Sequence, residues 1–583
     1  MRSHIWRYGV LVALLSFASS MMTLRNNYTQ DDRPAIVEDG RAHDPAQWHR
    51  YWSEPYWASQ FGGDLYRPMS STTMAAQWTM GGGAPFAFKA VSVAVYAAAS
   101  IAVFYLALAV TGPVTALVAA MLFAVHPVHV EAVAVAVNQA EIIVCLLMAL
   151  AVGRYITDRR RNQVDGRTRW LLFGATLVGV LYKETAAVLP ALLLAAEGII
   201  LLRTPRRWRE LFDVMALQGL AIATAGVLRY RVHGSNMRAT FTAEAISGAT
   251  MWERLLSMLG GVVPEWFRLL LWPANLQADY SPRVIDPAVT WETPQTLGLA
   301  IILLVAFLAW RLRHRAPAFS FGVTWTAIGL LPVSNVLVPT GIMLAERTLI
   351  TPSVGAMLAV AALGSLAVRA VGARRRPLAR QAGYAVVAVV LVMGISRSYS
   401  RHQVWRTQLG LWRQTVIDAP DGYRGRVALG GLMLEMGWTD RGEAQLLEGI
   451  ALWDGSSGPI FTLADRYRHS ERCVEAVALY EKALAIEEFA PGRAGMVSCR
   501  AFLGQYAQAR REAFDGLRIG FYSEIFRVWI RTLDQAMRTD APAGTVRFPV
   551  NMNHLFESAV REEGVLGRTR VAKGVHVMPD SGQ

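Results

Sequence analysis

Cysteine is nearly missing from this chain, with three in 583 residues: Cys145, Cys473 and Cys499. They form no CxxC and no metal-ligand spacing, so neither a disulfide framework nor a cysteine metal site is implied. Charge is scarce too. Asp, Glu, Lys and Arg make up only 17% of the residues against 53% hydrophobic ones, so much of the chain is built for a solvent other than water. The scarcity is uneven, because residues 86–110 and 383–396 are almost free of charge while residues 400–583 have an ordinary soluble balance. Acidic residues are in deficit, giving a formal net charge of +14. Much of the excess arginine lies in short clusters between apolar runs rather than in one stripe, which favours membrane topology over nucleic-acid binding.

At about 20 apolar residues per crossing, about eleven spans fit the chain. They lie near 5–24, 86–110, 113–128, 138–153, 170–185, 187–202, 213–229, 295–311, 317–338, 348–370 and 383–398. Residues 1–24 start basic and run apolar, the pattern of a first anchor or a cleaved signal peptide; the spans that follow favour the anchor, although Ala18, Ser19 and Ser20 keep cleavage open. The basic loops at 154–169, 203–209, 311–315 and 374–380 all fall on the side of Arg2 and Arg7, which the positive-inside bias assigns to the cytoplasm. An odd count then puts residues 25–85, 230–294, 339–347 and the C-terminal part outside. Residues 251–273 carry Glu253, Arg254, Glu265 and Arg268 and are broken by Gly260, Gly261 and Pro264, so they read as an interfacial or re-entrant helix.

After the last span, Ala444, Ala476 and Ala509 recur in similar settings at a spacing of about 33 residues. Leu463, Ala464, Tyr467, Tyr480 and Ala483 have tetratricopeptide spacing, so about three degenerate units make a short solenoid. The expected organisation is a first transmembrane helix at 1–24, an exported loop at 25–85, a helix bundle at 86–398 with an outer loop at 230–294, a soluble repeat unit at 399–540 and an irregular tail at 541–583.

Three outward clusters carry candidate chemistry. The loop after the first span contains Asp31 and Asp32, which serve either as a solvated turn or cap, or as a base for an acceptor hydroxyl. It continues through Trp48, Tyr51, Trp52, Tyr56 and Trp57 to Tyr66-Arg67-Pro68, and such aromatics either belong to an interfacial belt or stack on sugar rings. The second cluster, His126, His129 and Glu131 with Glu141 on the next helix, lies where lipid-facing placement is costly and should face a polar cavity. The histidines are not in a HEXXH pattern, so phosphate contact or structural hydrogen bonding outweighs a metal site. The third joins Glu346-Arg347 to Lys183-Glu184. Lys183 and Arg347 can neutralise a lipid-linked phosphate while their neighbouring glutamates hold them, or the same groups can lock helices together as buried ion pairs.

At these residues the chain resembles the transmembrane and tetratricopeptide-repeat-containing O-mannosyltransferase family, a branch of the GT-C glycosyltransferase superfold. The matching pieces run in family order: a YxxDD-like start at Tyr28 to Asp32, YRP at Tyr66 to Pro68, LFAVHPVHVEAV at Leu122 to Val133, Lys183-Glu184, LWPANLQADYS at Leu271 to Ser281, LPVSN at Leu331 to Asn335 and AERTLITPS at Ala345 to Ser353. Together they cover nearly the whole chain, and their order is more specific than any one of them.

The resemblance implies an all-α polytopic bundle of GT-C type with a tetratricopeptide-like domain. It implies inverting transfer of mannose or a related hexose from a polyprenyl-phosphate donor to a hydroxyl, Ser or Thr of an exported protein, on the exported face of the bilayer. Asp31 or Asp32 is then the base. Arg67, His126, His129, Glu131, Lys183 and Arg347 meet the donor phosphate, with Tyr66, Glu141, Glu184, Asp279 and Glu346 in support. No metal ligands are assigned and no cofactor is certain, a divalent metal being left open. One departure bears on the donor: where the family has Gly-Arg-Ala-acid, this chain has Asn138-Gln139-Ala140-Glu141, losing an arginine and its bidentate phosphate grip. The alanine- and arginine-rich composition and short loops point to a bacterial inner membrane, an undecaprenyl-like carrier and a periplasmic catalytic side.

Rival readings are a transporter or flippase, transfer to an envelope glycan or lipid, and a noncatalytic scaffold. A transporter predicts paired repeats of spans and charges near the midplane, whereas here the charges gather at the outer ends of spans. An enzyme requires Asp31 or Asp32 to converge with His126, Lys183 or Arg347.

Overall fold

A computed structural model describes residues 5–57, 65–162, 164–205, 207–234, 242–488, 490–519 and 523–547. Among them the regular elements are all helical. In chain order they are α1 (Ile5–Ser20), α2 (Pro68–Gly81), α3 (Pro85–Val110), α4 (Pro113–Ala124), α5 (Val130–Ala134), α6 (Gln139–Arg160), α7 (Gly166–Tyr182), α8 (Leu189–Ala195), α9 (Trp208–His233), α10 (Met251–Ser257), α11 (Val263–Leu271), α12 (Thr293–Leu312), α13 (Pro317–Leu330), α14 (Ile350–Ala370) and α15 (Arg376–Val404). After these come α16 (Gln408–Asp418), α17 (Tyr423–Glu435), α18 (Thr439–Leu452), α19 (Ser457–His469), α20 (Cys473–Ile486), α21 (Ala490–Phe502), α22 (Tyr506–Ile519) and α23 (Ser523–Arg538). Proline occupies one of the first two positions of α2, α3, α4, α12, α13 and α15. There its fixed φ suits the first turn and its missing N–H leaves no helical bond unmade.

Seven described helices are long and apolar enough to cross a membrane: Ile5–Arg25, α3, Ala136–Arg160, α9, α12, Glu346–Ala370 and α15. The chain is an integral membrane protein. α4 and Pro127–Ala134, bent by 48° at His126, make an eighth if taken as one broken span. The remaining expected spans are built from shorter pieces. Residues 170–185 correspond to α7, which stops before Lys183-Glu184, residues 187–202 to α8 with a π turn, and residues 317–338 to α13 with a 3-10 turn. Residues 251–271 run as α10, a π turn at Met258–Val262 and α11, outside the set long and apolar enough to span. The π turn sits at Gly260 and Gly261, where added Cβ atoms would strike Gln295 and Ile285.

α6 and α14 have most of their spans buried and form the centre of the bundle, whereas α12 and α15 present Leu303, Leu304, Phe307, Val386, Val389 and Val392 outward, as lipid-facing helices do. α13 and α14 cross closely because Gly322 and Gly355 face one another, and a Cβ on either would collide with the other's carbonyl. A Gly355→Leu substitution is expected to lower stability by about 1–3 kcal/mol through overpacking. Thermal melting of the purified protein checks this; an unchanged midpoint would contradict the close crossing.

The chain divides into two compact units, one of residues 1–56, 64–280 and 285–418, the other of residues 57–63, 281–284 and 419–583. The division falls after Asp418, later than the boundary expected at 399. Arg401 and His402 look like soluble chain in the sequence but are buried: Arg401 Nη1 donates to Asp418 at 2.8 Å, and His402 Nδ1 is hydrogen-bonded to Thr23 Oγ1 at 2.7 Å. The segment expected as an exported loop is also more ordered than a loop. It contains α2 and a small core in which buried Arg41 donates to Asp39 and to the Pro55 and Tyr56 carbonyls, over the Tyr51 ring. Tyr51 and Tyr56 are therefore packing residues, not exposed stacking surfaces.

In the second unit α17–α18, α19–α20 and α21–α22 pack as pairs, followed by α23 against α22. The small residue of the first pair is Gly442, not Ala444. Gly442 is buried, with the Gly430 carbonyl 2.9 Å from where its Cβ would lie, while Ala444 is exposed. Two residues of slip turn a helix by about 200°, which moves a side chain to the opposite face. Ala476, Ala509, Leu463, Ala464, Tyr467, Tyr480 and Ala483 are all buried. Most of the tail expected to be irregular, from 548 onward, lies outside the described residues.

Candidate active site

The chain leaves α1 through a 3-10 turn and reverses at Gln30, whose φ of 48° is left-handed and whose N–H is held by Gln408 Oε1 at 2.8 Å. This turn sends the two aspartates to different environments. Asp32 is completely buried. Its Oδ2 accepts from Lys89 Nζ at 2.7 Å and its Oδ1 from the Val137 N–H at 3.0 Å, while Lys89 also donates to the Ala134 carbonyl at 2.7 Å. Asp32 thus ties the loop to α3 and to the α5–α6 connection, and both of its oxygens are occupied. Asp31 is half-buried, and its carboxylate has no hydrogen-bond or ion-pair partner among the described residues. It lies within electrostatic range of Arg347 and of Tyr56, whose phenol is held well above its ordinary pKa, mainly by burial.

Three cations from distant parts of the sequence meet here, each with one glutamate. Arg67 grips Glu184 in a fork, Nη2 to Oε2 at 2.8 Å and Nε to Oε2 at 3.1 Å. Lys183 Nζ donates to Glu141 at 2.5 Å. Arg347 pairs with Glu131 through its guanidinium and through its backbone N–H at 2.9 Å. The pairs lie in one another's fields: Lys183 senses Glu141, Arg67 and Arg347, Arg347 senses Glu131, Asp31 and Glu141, and Arg67 senses Glu184, Tyr56 and Glu141. Side-chain exposure separates the partners. Arg67, Lys183 and Arg347 are 17%, 15% and 18% exposed, but Glu131 and Glu141 only 1% and 4%. The two buried carboxylates fix cations that remain partly open, an arrangement suited to receiving an anion.

The glutamate pairing differs from the expected one. Glu184 holds Arg67 rather than Lys183, and Glu346 turns away from Arg347, because adjacent residues on a helical turn do not face each other. Glu346 is fully buried and accepts from the Gln277 N–H at 2.6 Å and from Tyr280 Oη at 3.0 Å, anchoring the LQADYS loop. Asp279 in that loop is half-buried. Tyr66 is buried against Leu181 and Ala225, with its hydroxyl on the Trp52 carbonyl at 3.1 Å, which sets the backbone position of Arg67.

Both histidines are fully engaged within the protein. His126 Nε2 donates to the Leu270 carbonyl at 3.1 Å and its Nδ1 accepts from the Val128 N–H at 3.4 Å. His129 is hydrogen-bonded to Tyr96 Oη and to Ser353 Oγ, each at 2.8 Å. No group of three or more His, Cys, Asp or Glu among the described residues is placed to hold a metal ion. Gln139, at the position of the lost arginine, is buried and donates to Gln77 at 3.0 Å, Ser92 at 3.1 Å and the Phe88 carbonyl at 2.9 Å. Sequence reasoning missed Lys89, although a lone lysine in an apolar span is a signal in its own right. It also missed Arg229, 3.7 Å from Glu184.

No family model matches the chain. Among curated proteins it is similar to protein O-mannosyl-transferases: 28% identical over 51% of this chain and 33% of one from Drosophila melanogaster, 23% over 77% of this chain and 63% of one from Caenorhabditis elegans, and 25% over 70% of this chain and 61% of one from Homo sapiens. The chain thus spans between a third and somewhat under two thirds of the length of these relatives. Among solved structures, an oligosaccharyltransferase of Archaeoglobus fulgidus aligns with a TM-score of 0.37 and 12% identity, covering 67% of this chain and 53% of that one.

Proposed function

We propose that this chain is a membrane glycosyltransferase that moves mannose or a related hexose from a polyprenyl-phosphate donor to a hydroxyl, on Ser or Thr of an exported protein, at the exported face of a bacterial inner membrane. The observation that carries the reading is the cluster of three partly open cations, Arg67, Lys183 and Arg347, with Asp31, whose carboxylate has no hydrogen-bond or ion-pair partner among the described residues, in the field of Arg347. Asp31 takes the proton of the acceptor hydroxyl as its oxygen bonds to the anomeric carbon; the bond from that carbon to the phosphate oxygen breaks, and the negative charge gathered on the polyprenyl phosphate is held by the cations. Asp32, His126, His129, Glu131, Glu141, Glu184 and Glu346 act as framework, each holding at least one protein partner. The helix pairs of the second unit serve as a tetratricopeptide-like receiver for the acceptor. Similarity to proteins named as O-mannosyl-transferases supports both the reaction class and a protein acceptor.

A single base opposite the leaving phosphate requires inversion. Purified protein given a β-linked polyprenyl-phosphate mannose is expected to form an α-linked product, read by NMR of the released glycopeptide. A β-linked product would rule out direct displacement. Arg67→Gln is expected to lower transfer by about ten- to a hundredfold, within the range for losing one charge-stabilising donor. Glu184 is 37% exposed and has Arg229 3.7 Å away, so the variant should fold. Unchanged kinetics would remove Arg67 from the site.

A further inference from the structure

Two of the three cysteines, on consecutive helices, share one helix interface. Cys473 opens α20, Cys499 lies in the last turn of α21, and both are buried in the same apolar cluster. The register of the pair places them on neighbouring turns of the interface. The Tyr480 ring occupies the space where a Cβ of Gly495 would be. One turn and then two turns back along α20 from Tyr480 lie Ala476 and Cys473, while one turn onward along α21 from Gly495 lies Cys499, all on the facing stripe. Each thiol lies within the electrostatic environment of the other, and both are buried. This interface joins the second helix pair to the third, and the helix pairs of a solenoid hold together only through such nearest-neighbour interfaces.

We propose that Cys473 and Cys499 are a modification site and are joined by a disulfide in the mature protein, stapling α20 to α21; this rests on the reading that the second unit is exported. Two S–H bonds are lost and one S–S bond forms. The two protons and two electrons pass to an oxidised dithiol–disulfide exchange protein of the exported compartment, through a mixed disulfide. The link shortens the free loop of the unfolded chain and opposes separation of the helix pairs. Cys145, buried in α6 away from the other two in sequence and element, stays a thiol and is an internal reference.

The test has two arms, both on the full chain. In cells quenched with acid, denatured and treated with a polyethylene-glycol maleimide, the protein is expected to take up one label without reduction and three after it. Cys473→Ser and Cys499→Ser proteins should each label fully without reduction. In the second arm, reduced purified protein is exposed to oxidised glutathione, and peptide mass analysis is expected to find the Cys473–Cys499 link together with a melting midpoint raised by a few degrees. Absence of the link in both arms overturns the proposal through its geometry. A link in the purified protein but not in cells overturns it through the assumed compartment, leaving the sugar-transfer reading of the first unit to be judged by its own assay.

Discussion

An Asp31→Asn protein is expected to fold, extract and melt like the wild type while transferring sugar at least about a hundredfold more slowly. The Asp31 carboxylate is half-buried and accepts no hydrogen bond from a described residue, so an amide of the same shape removes no structural contact. What it removes is the carboxylate proposed to take the acceptor proton. The three cations keep their glutamates, so donor affinity should change little. The loss should therefore fall on kcat, with the KM for the polyprenyl-phosphate sugar held within a few-fold. Steady-state kinetics at matched folded concentration check the split. A rise in KM with kcat preserved would make Asp31 a binding residue rather than the base.

The second large effect is on stability. Asp32 and Lys89 form an ion pair in which neither side chain has any exposure. Removing one partner strands the other's charge in a low-dielectric interior, and such losses run to about 3–5 kcal/mol. Asp32→Asn and Lys89→Met are each expected to lower the melting midpoint and the yield of extracted protein. The double variant should recover much of the loss, because an apolar side chain facing an amide leaves no unpaired charge. A double-variant cycle of melting midpoints checks this; two independent, additive losses would mean that the pair does not couple the loop to α3. Activity follows the same logic. Whatever the double variant loses beyond its stability reports how far the loop carrying Asp31 depends on that anchor.

These two effects also mark where the sequence stops being informative. The acidic pair after the first span is plain to read, and so is the need for charges at helix ends to face polar surroundings. Which aspartate is spent on the fold is not, since it depends on Gln30 adopting a left-handed φ and on Lys89 reaching from the first turns of an apolar helix. The candidate cations were legible as residues, but their partners were not. Lys183-Glu184 and Glu346-Arg347 look like pairs in one dimension; on a helical turn neighbours diverge, and the partners come from Glu141 and Glu131 on other elements. For His126 and His129 the sequence leaves phosphate contact and structural hydrogen bonding both open, and the break at Pro127 turns them toward the Leu270 carbonyl and toward Tyr96 and Ser353. In the second unit the helix pairing follows from small residues at a fixed spacing, but their register does not. Gly442 and Ala444 differ by two positions, and only contact with Gly430 decides between them.

The membrane character was legible from composition alone, because uncharged runs of such length have few other uses. The number of crossings was less so. α7, α8 and α13 are short, and the chain bends between α4 and Pro127–Ala134, so a hydropathy count merges helix geometry with residue chemistry. The placing of the arginine clusters on one side remains an expectation from the sequence, and the labelling of Cys473 and Cys499 in cells bears on it directly.

The measurement that bears most directly on the central claim is transfer of labelled mannose from a synthetic polyprenyl-phosphate donor to a Ser/Thr-containing acceptor by the purified chain in lipid nanodiscs, run beside Asp31→Asn. The account predicts donor-dependent transfer by the wild type and none above background by the variant, with equal melting midpoints. Equal transfer by both proteins would contradict it.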